Sequence, residues 1–101
     1  RPNRPTAIFA GSDLQAMGVY EAARQLGLRI PEDLSVVGFD DVQTAAFLGP
    51  ALTTVRQPLQ DMARAAVRML IEALSTDDVI QPHIIMPTSL VVRNSTQQLE
   101  G

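Results

Sequence analysis

The order of three segments near the front of the chain narrows the fold more than any other feature. A short apolar run, "TAIFA" (Thr6–Ala10), leads into "GSDLQAMGVYEAARQLG", and a second apolar run, "LSVVGF", follows after a turn. Apolar runs of this length suit buried strands. Between them, Ser12 with Gln15 three residues on fits a helix-capping box, and Gly27 fits the helix stop. Leu14, Met17, Tyr20, Ala23 and Leu26 recur at helical spacing, which predicts an amphipathic helix with these residues inward. Strand, helix and strand make a βαβ unit, so the expected class is α/β, a parallel sheet flanked by helices with a right-handed crossover.

The remainder extends this pattern. "RPNRP" reads as an extended lead-in, and Pro31 in "LRIPED" marks a turn. "VQTAAFLGP" predicts one short helix ended by Gly49-Pro50, and "LTTV" a third strand. Pro58 stands at the favoured first position of a second helix. There Leu59, Met62, Ala63, Ala66, Val67, Leu70, Ile71 and Leu74 form a regular apolar stripe, with Arg64, Arg68 and Glu72 on the other side. "STDDV" is a loop, and "HIIMP" and "SLVVRN" read as closing strands split by Pro87.

Composition excludes several classes. The 101 residues suffice for one small domain, and 46% hydrophobic content predicts a packed core. A net charge of −3 argues against this segment gripping a phosphate backbone by itself. Without cysteine there is neither a disulfide framework nor thiolate chemistry. No apolar run approaches the ~20 residues of a membrane helix. His83 stands alone, with no cysteine or nearby acid to complete a metal site, and nothing specifies it as the partner of a nucleophilic serine. No catalytic residue, metal or cofactor is expected.

The stretch "SVVGFDD" runs a buried strand straight into two carboxylates, Asp40 and Asp41. In open α/β sheets, ligands sit outside the carboxyl ends of parallel strands. "TAIFA" delivers Gly11-Ser12-Asp13 there, and "SVVGF" delivers Asp40-Asp41. Neighbouring strands lie roughly 5 Å apart, so Ser12 and Asp40 are spaced to share one neutral polar ligand. The plainer alternative has Ser12 and Asp13 serving the helix N-terminus, and Asp40 or Asp41 capping the short helix near Val42. Arg56 and Arg93 are candidates either to pair with these carboxylates or to sit in solvent.

"AIFAGSDLQAMGVYEAARQLGLRIPEDLSVVGFDD", "PALTTVRQP" and "LVVRNST" together resemble the lactose-repressor (LacI/GalR) family of bacterial transcription regulators, in the family's order and spacing, from about Pro5 to Thr96. The resemblance implies that residues 1–101 form the C-terminal portion of an effector-binding and dimerisation core. That core is of the type I periplasmic-binding-protein-like (Rossmann-like) kind, with two lobes and an effector between them. Asp40 matches a family position that hydrogen-bonds the effector. Ser12 matches one often held by Asn that also reaches it, and Gln57 and Leu59 match positions lining the cleft near a crossover. Asp13 matches an acid of structural role. Met17 and the segment 43–48, with Phe47 and Leu48, correspond to a dimer interface.

The implied function is sensing. A sugar or related small metabolite binds, and DNA affinity changes in a cytoplasmic homodimer that reads DNA only through an N-terminal headpiece absent from these residues. In the family the second helix packs on the lobe that is also absent. Its stripe is therefore expected to fold back on its own sheet, swap with a second copy, or meet a longer chain. The alternatives are a transport-type periplasmic sugar-binding protein and, more remotely, a flavodoxin-like enzyme.

Overall fold

A computed structural model describes residues 5–75 and 85–98. The lead-in before Pro5, the "STDDV" loop beyond Ser75 and His83 lie outside the described residues. The order is β1 (Ala7–Phe9), α1 (Asp13–Leu26), β2 (Ser35–Asp40), a 3₁₀ turn (Gln43–Phe47), β3 (Thr53–Arg56), α2 (Leu59–Ser75) and β4 (Ser89–Val91). The chain divides into two compact units. One is Arg1–Arg56 with Ser89–Gly101, and the other is Gln57–Thr88.

The first unit is built on a four-stranded sheet in the order β1-β2-β3-β4. β1 and β2 run parallel with Phe9 opposite Val37, and β2 and β3 run parallel with Asp40 opposite Arg56. β4 runs antiparallel to β3, with Ser89 opposite Arg56, which adds a mixed edge to the expected parallel sheet. Of the two closing strands read from the sequence, "SLVVRN" supplies β4. Ile85 to Pro87 of "HIIMP" carry no strand.

α1 starts and stops where its chemistry dictates. The Ser12 hydroxyl accepts from the Gln15 N–H at 3.1 Å, and the Gln15 side chain accepts from the Gly11 N–H at 3.1 Å. The return arm of the capping box therefore reaches one residue further than expected. Gly27 closes the helix at φ 71°, a left-handed conformation that costs glycine little, and Leu28 N–H donates to the Ala23 carbonyl at 2.9 Å. The buried face is Asp13, Ala16 and Ala23, with Val19 and Tyr20 half-buried. This corrects the expected stripe, since Leu14 and Leu26 are both 74% exposed. Alanines let the helix lie close to the sheet, so the small side chains face inward and the large ones turn out.

The core of this unit is Ala10, Ala16, Leu34, Val36, Ala45 and Leu52, flanked by Ile8, Val19, Tyr20, Ile30 and Leu48. Tyr20 donates its hydroxyl to the Pro50 carbonyl at 2.7 Å, and burial pushes its phenol up from the ordinary value. Ser95 stitches β2 to β3. Its hydroxyl donates to the Val36 carbonyl at 2.5 Å and accepts from Thr53 N–H at 2.8 Å, while its own carbonyl accepts from Val36 N–H at 2.9 Å.

In the second unit, α2 begins at Leu59. The Pro58 carbonyl accepts from Met62 N–H at 2.9 Å, so Pro58 stands just before the first helical position. No residue of α2 is buried. Only Ala65 and Met69 are half-buried, and neither belongs to the apolar stripe.

Candidate functional site

Strands β1, β2 and β3 bring three polar ends to one edge of the sheet. β1 passes into Gly11-Ser12-Asp13, β2 finishes at Asp40, and β3 finishes at Arg56. Ser12 and Asp40 thus stand at the same end of adjacent parallel strands, and both are half-buried. Ser12 also caps α1, so its hydroxyl is already engaged with Gln15 N–H.

The turn after β2 is unusual. Asp40 and Asp41 have φ values of 113° and 59°, and neither is glycine. Sparsely populated backbone of this kind costs on the order of 1–3 kcal/mol and persists only where the surroundings over-determine it. Asp41 supplies part of that determination. Arg56 Nε donates to its Oδ2 at 2.7 Å, and Arg93 Nη2 donates to its Oδ1 at 2.8 Å. Arg93 also donates from Nη1 to the Leu52 carbonyl at 2.8 Å.

The two ion pairs are not equal. The Arg56 side chain is 56% exposed and that of Arg93 only 17%, against 9% for Asp41. Water screens the first pair far more than the second, so Arg93 is the stronger anchor. Burial by itself raises the Asp41 carboxyl, but the hydrogen bonds and charges of Arg56 and Arg93 outweigh it. The carboxyl is held below its ordinary value.

Asp13 secures the other side of the turn. It is fully buried, accepts from Thr54 Oγ1 at 2.5 Å, and accepts from the Val42 backbone N–H at 2.7 Å. Its role as an acid of the α1 N-terminus is thus extended by a bridge to β3 and to the turn. Val42 begins the 3₁₀ turn with no side-chain cap, so neither Asp40 nor Asp41 serves as the cap weighed from the sequence. Gly38 explains the glycine inside β2. A Cβ there would overlap the Asp13 carboxylate and approach Leu52 Cδ2 at 2.8 Å.

The remaining sequence candidates fall elsewhere. Gln57 and Leu59 belong to the second unit, where the Gln57 carbonyl accepts from Leu59 N–H at 2.8 Å and Leu59 opens α2. Met17 is half-buried on α1, Leu48 half-buried after the 3₁₀ turn, and Phe47 is 81% exposed. The sequence weighed Arg56 and Arg93 as partners of carboxylates but did not single out Asp41 as what they share. "DD" followed by lone arginines 15 and 52 residues away carries no local signal of that pairing. Among the described residues, no group of three or more His, Cys, Asp or Glu gathers as a metal site. No described helix is long and apolar enough to cross a membrane.

A family model described as the periplasmic binding protein-like domain matches residues 1–96. The HTH-type transcriptional regulator MalR of Streptomyces coelicolor is 47% identical over 96 residues, which are 95% of this chain and 28% of that protein. Among solved structures, a LacI family transcriptional regulator from Enterococcus faecalis with bound ribose is 32% identical with a TM-score of 0.93, over 97% of this chain and 37% of that one. The complex of the transcriptional regulator CelR with cellobiose is 36% identical with a TM-score of 0.85, over 89% and 28%. The chain spans less than a third of the length of the curated relatives it matches.

Proposed function

The chain belongs to the periplasmic binding protein-like domain family and, within it, to the LacI type of transcriptional regulators, and from that membership we propose that it is the C-terminal part of an effector-binding and dimerisation core. The effector is a sugar or a related small metabolite. The observation that carries this is the pairing of Asp40 and Ser12 at the carboxyl ends of adjacent parallel strands, in a fold whose solved relatives hold ribose or cellobiose. The Asp40 carboxylate accepts from two sugar hydroxyls, and the Ser12 oxygen offers a further polar contact.

The regulator works in the cytoplasm as a homodimer, with Met17, Phe47 and Leu48 at the interface. The exposed Phe47 ring supports that assignment. DNA is read by a headpiece outside these residues. Effector binding changes DNA affinity because the two conformations of the core bind effector unequally. That the curated relatives are HTH-type regulators supports this role over sugar transport and over catalysis.

The test is a thermal-shift measurement on the complete regulator with ribose and with cellobiose. A sugar at 100 times its dissociation constant stabilises by about 2.7 kcal/mol, and Asp40→Ala removes the shift. A full shift retained by Asp40→Ala would overturn the role given to Asp40. No shift with either sugar in a well-folded protein would overturn the sugar assignment.

A further inference from the structure

Asp41 touches nothing that the ligand assignment uses, yet three separate elements converge on its turn. Arg56 arrives from the end of β3, Arg93 from beyond β4, and Asp13, at the start of α1, holds the next backbone N–H at Val42. We propose that Asp41, gripped by Arg93 and Arg56, is a positioning residue that holds Asp40 in its positive-φ conformation and so presents the Asp40 carboxylate to a pair of sugar hydroxyls. The proposal rests on Asp40 being a ligand contact.

Two features support it. A turn that only had to reverse the chain would take glycine, as the C-terminus of α1 does at Gly27. Here the chain keeps two acids at φ 113° and 59°, and backbone strain retained by a non-glycine residue points to a use for its side chain. The clamp is also built from long-range contacts. Asp40 lies opposite Arg56 in the β2–β3 register, and Arg56 is the last residue of the first unit before the chain crosses at Gln57. The depressed carboxyl of Asp41 agrees with a clamp that stays charged at neutral pH.

The experiment separates the clamp from the ligand. In the complete regulator, Asp40→Gly and Asp40→Ala are each made with and without Asp41→Asn. Both remove the Asp40 carboxylate, and the unfolded-chain entropy that separates Gly from Ala is the same in both backgrounds, so the change in their difference on adding Asp41→Asn reports backbone strain. With Asp41 in place, Asp40→Gly melts at least about 2 °C above Asp40→Ala, and adding Asp41→Asn closes that gap. In a second arm, Asp41→Asn alone weakens binding of ribose or cellobiose about tenfold or more, and adds no further loss on top of Asp40→Ala.

A gap that survives Asp41→Asn, or a sugar affinity within about twofold of the parent, would overturn the proposal. If neither sugar binds the parent, the ligand assignment falls and the presenting role falls with it. The melting gap would still report whether the clamp holds the Asp40 backbone.

Discussion

The two units of this chain treat their apolar and polar groups in opposite ways. In the first, small residues and a few aliphatics close a core around Val36 and Leu52, and Asp13, Thr54 and Ser95 are buried with their hydrogen bonds made. Among the described residues, no buried side-chain nitrogen or oxygen lacks a partner. In the second, a regular apolar stripe runs the length of α2 with nothing buried, from Leu59 at 49% exposure to Leu74 at 80%. Several exposed side chains worth roughly 1.5–3 kcal/mol each on full burial make a large unrealised stabilisation against a typical net of about 5–15 kcal/mol. A strong hydrophobic pattern therefore specifies a helix without specifying what it meets. The buried polar bridges of the first unit specify their neighbours one by one.

The sharpest way to test this contrast is to remove equivalent apolar volume from each unit. Leu52→Ala, at a site with no exposure, leaves a cavity and costs about 2–5 kcal/mol by denaturant titration. Leu70→Ala, 60% exposed on α2, costs under about 0.5 kcal/mol in the same assay. Equal losses would mean that the stripe is covered in solution.

A smaller effect is expected from Gly38→Ala. The added methyl meets Asp13 and Leu52, so it forces either the buried bridge or the core to move. Overpacking of this kind costs about 1–3 kcal/mol. A neutral result by thermal melting would show the β2–β3 packing to be looser than the structure describes.

The smallest effect lies in pH. The Asp41 carboxyl is depressed in the folded chain, so its contribution is fully present above the unfolded value of about 3.9. It is lost as pH falls through the lower folded value. Asp41→Asn is therefore less stable than the parent at neutral pH, and the difference narrows below about pH 4. A constant difference across that window would mean the two arginines do not perturb the carboxyl.

Local signals made most of the fold legible. The capping pair Ser12 and Gln15, the stop at Gly27 and the short apolar runs locate α1 and the first three strands to within a residue or two. Pattern failed where tertiary contact overrode it. α1 turns its alanines inward rather than Leu14 and Leu26, and the second half of the "HIIMP" stretch carries no strand. Of the site, the placement of Ser12 and Asp40 at neighbouring strand ends followed from the βαβ order. The grip on Asp41 did not, because its partners come from the end of β3 and from beyond β4 and pair only once the sheet has formed. The bond from Ser95 to Val36, spanning 59 positions, is hidden for the same reason.

That last bond also bears on the order of events during synthesis. Residues 57–88 lie in the chain between β3 and Ser95, the residue that laces β3 to β2. β1, α1, β2 and β3 leave the ribosome well before Ser95, so the first unit waits for the whole insertion before its sheet can be laced shut. Late, long-range closure slows folding and prolongs the exposure of unfinished strands. In this chain the apolar stripe of α2 is synthesised during that wait, before the residue that closes the first unit's sheet.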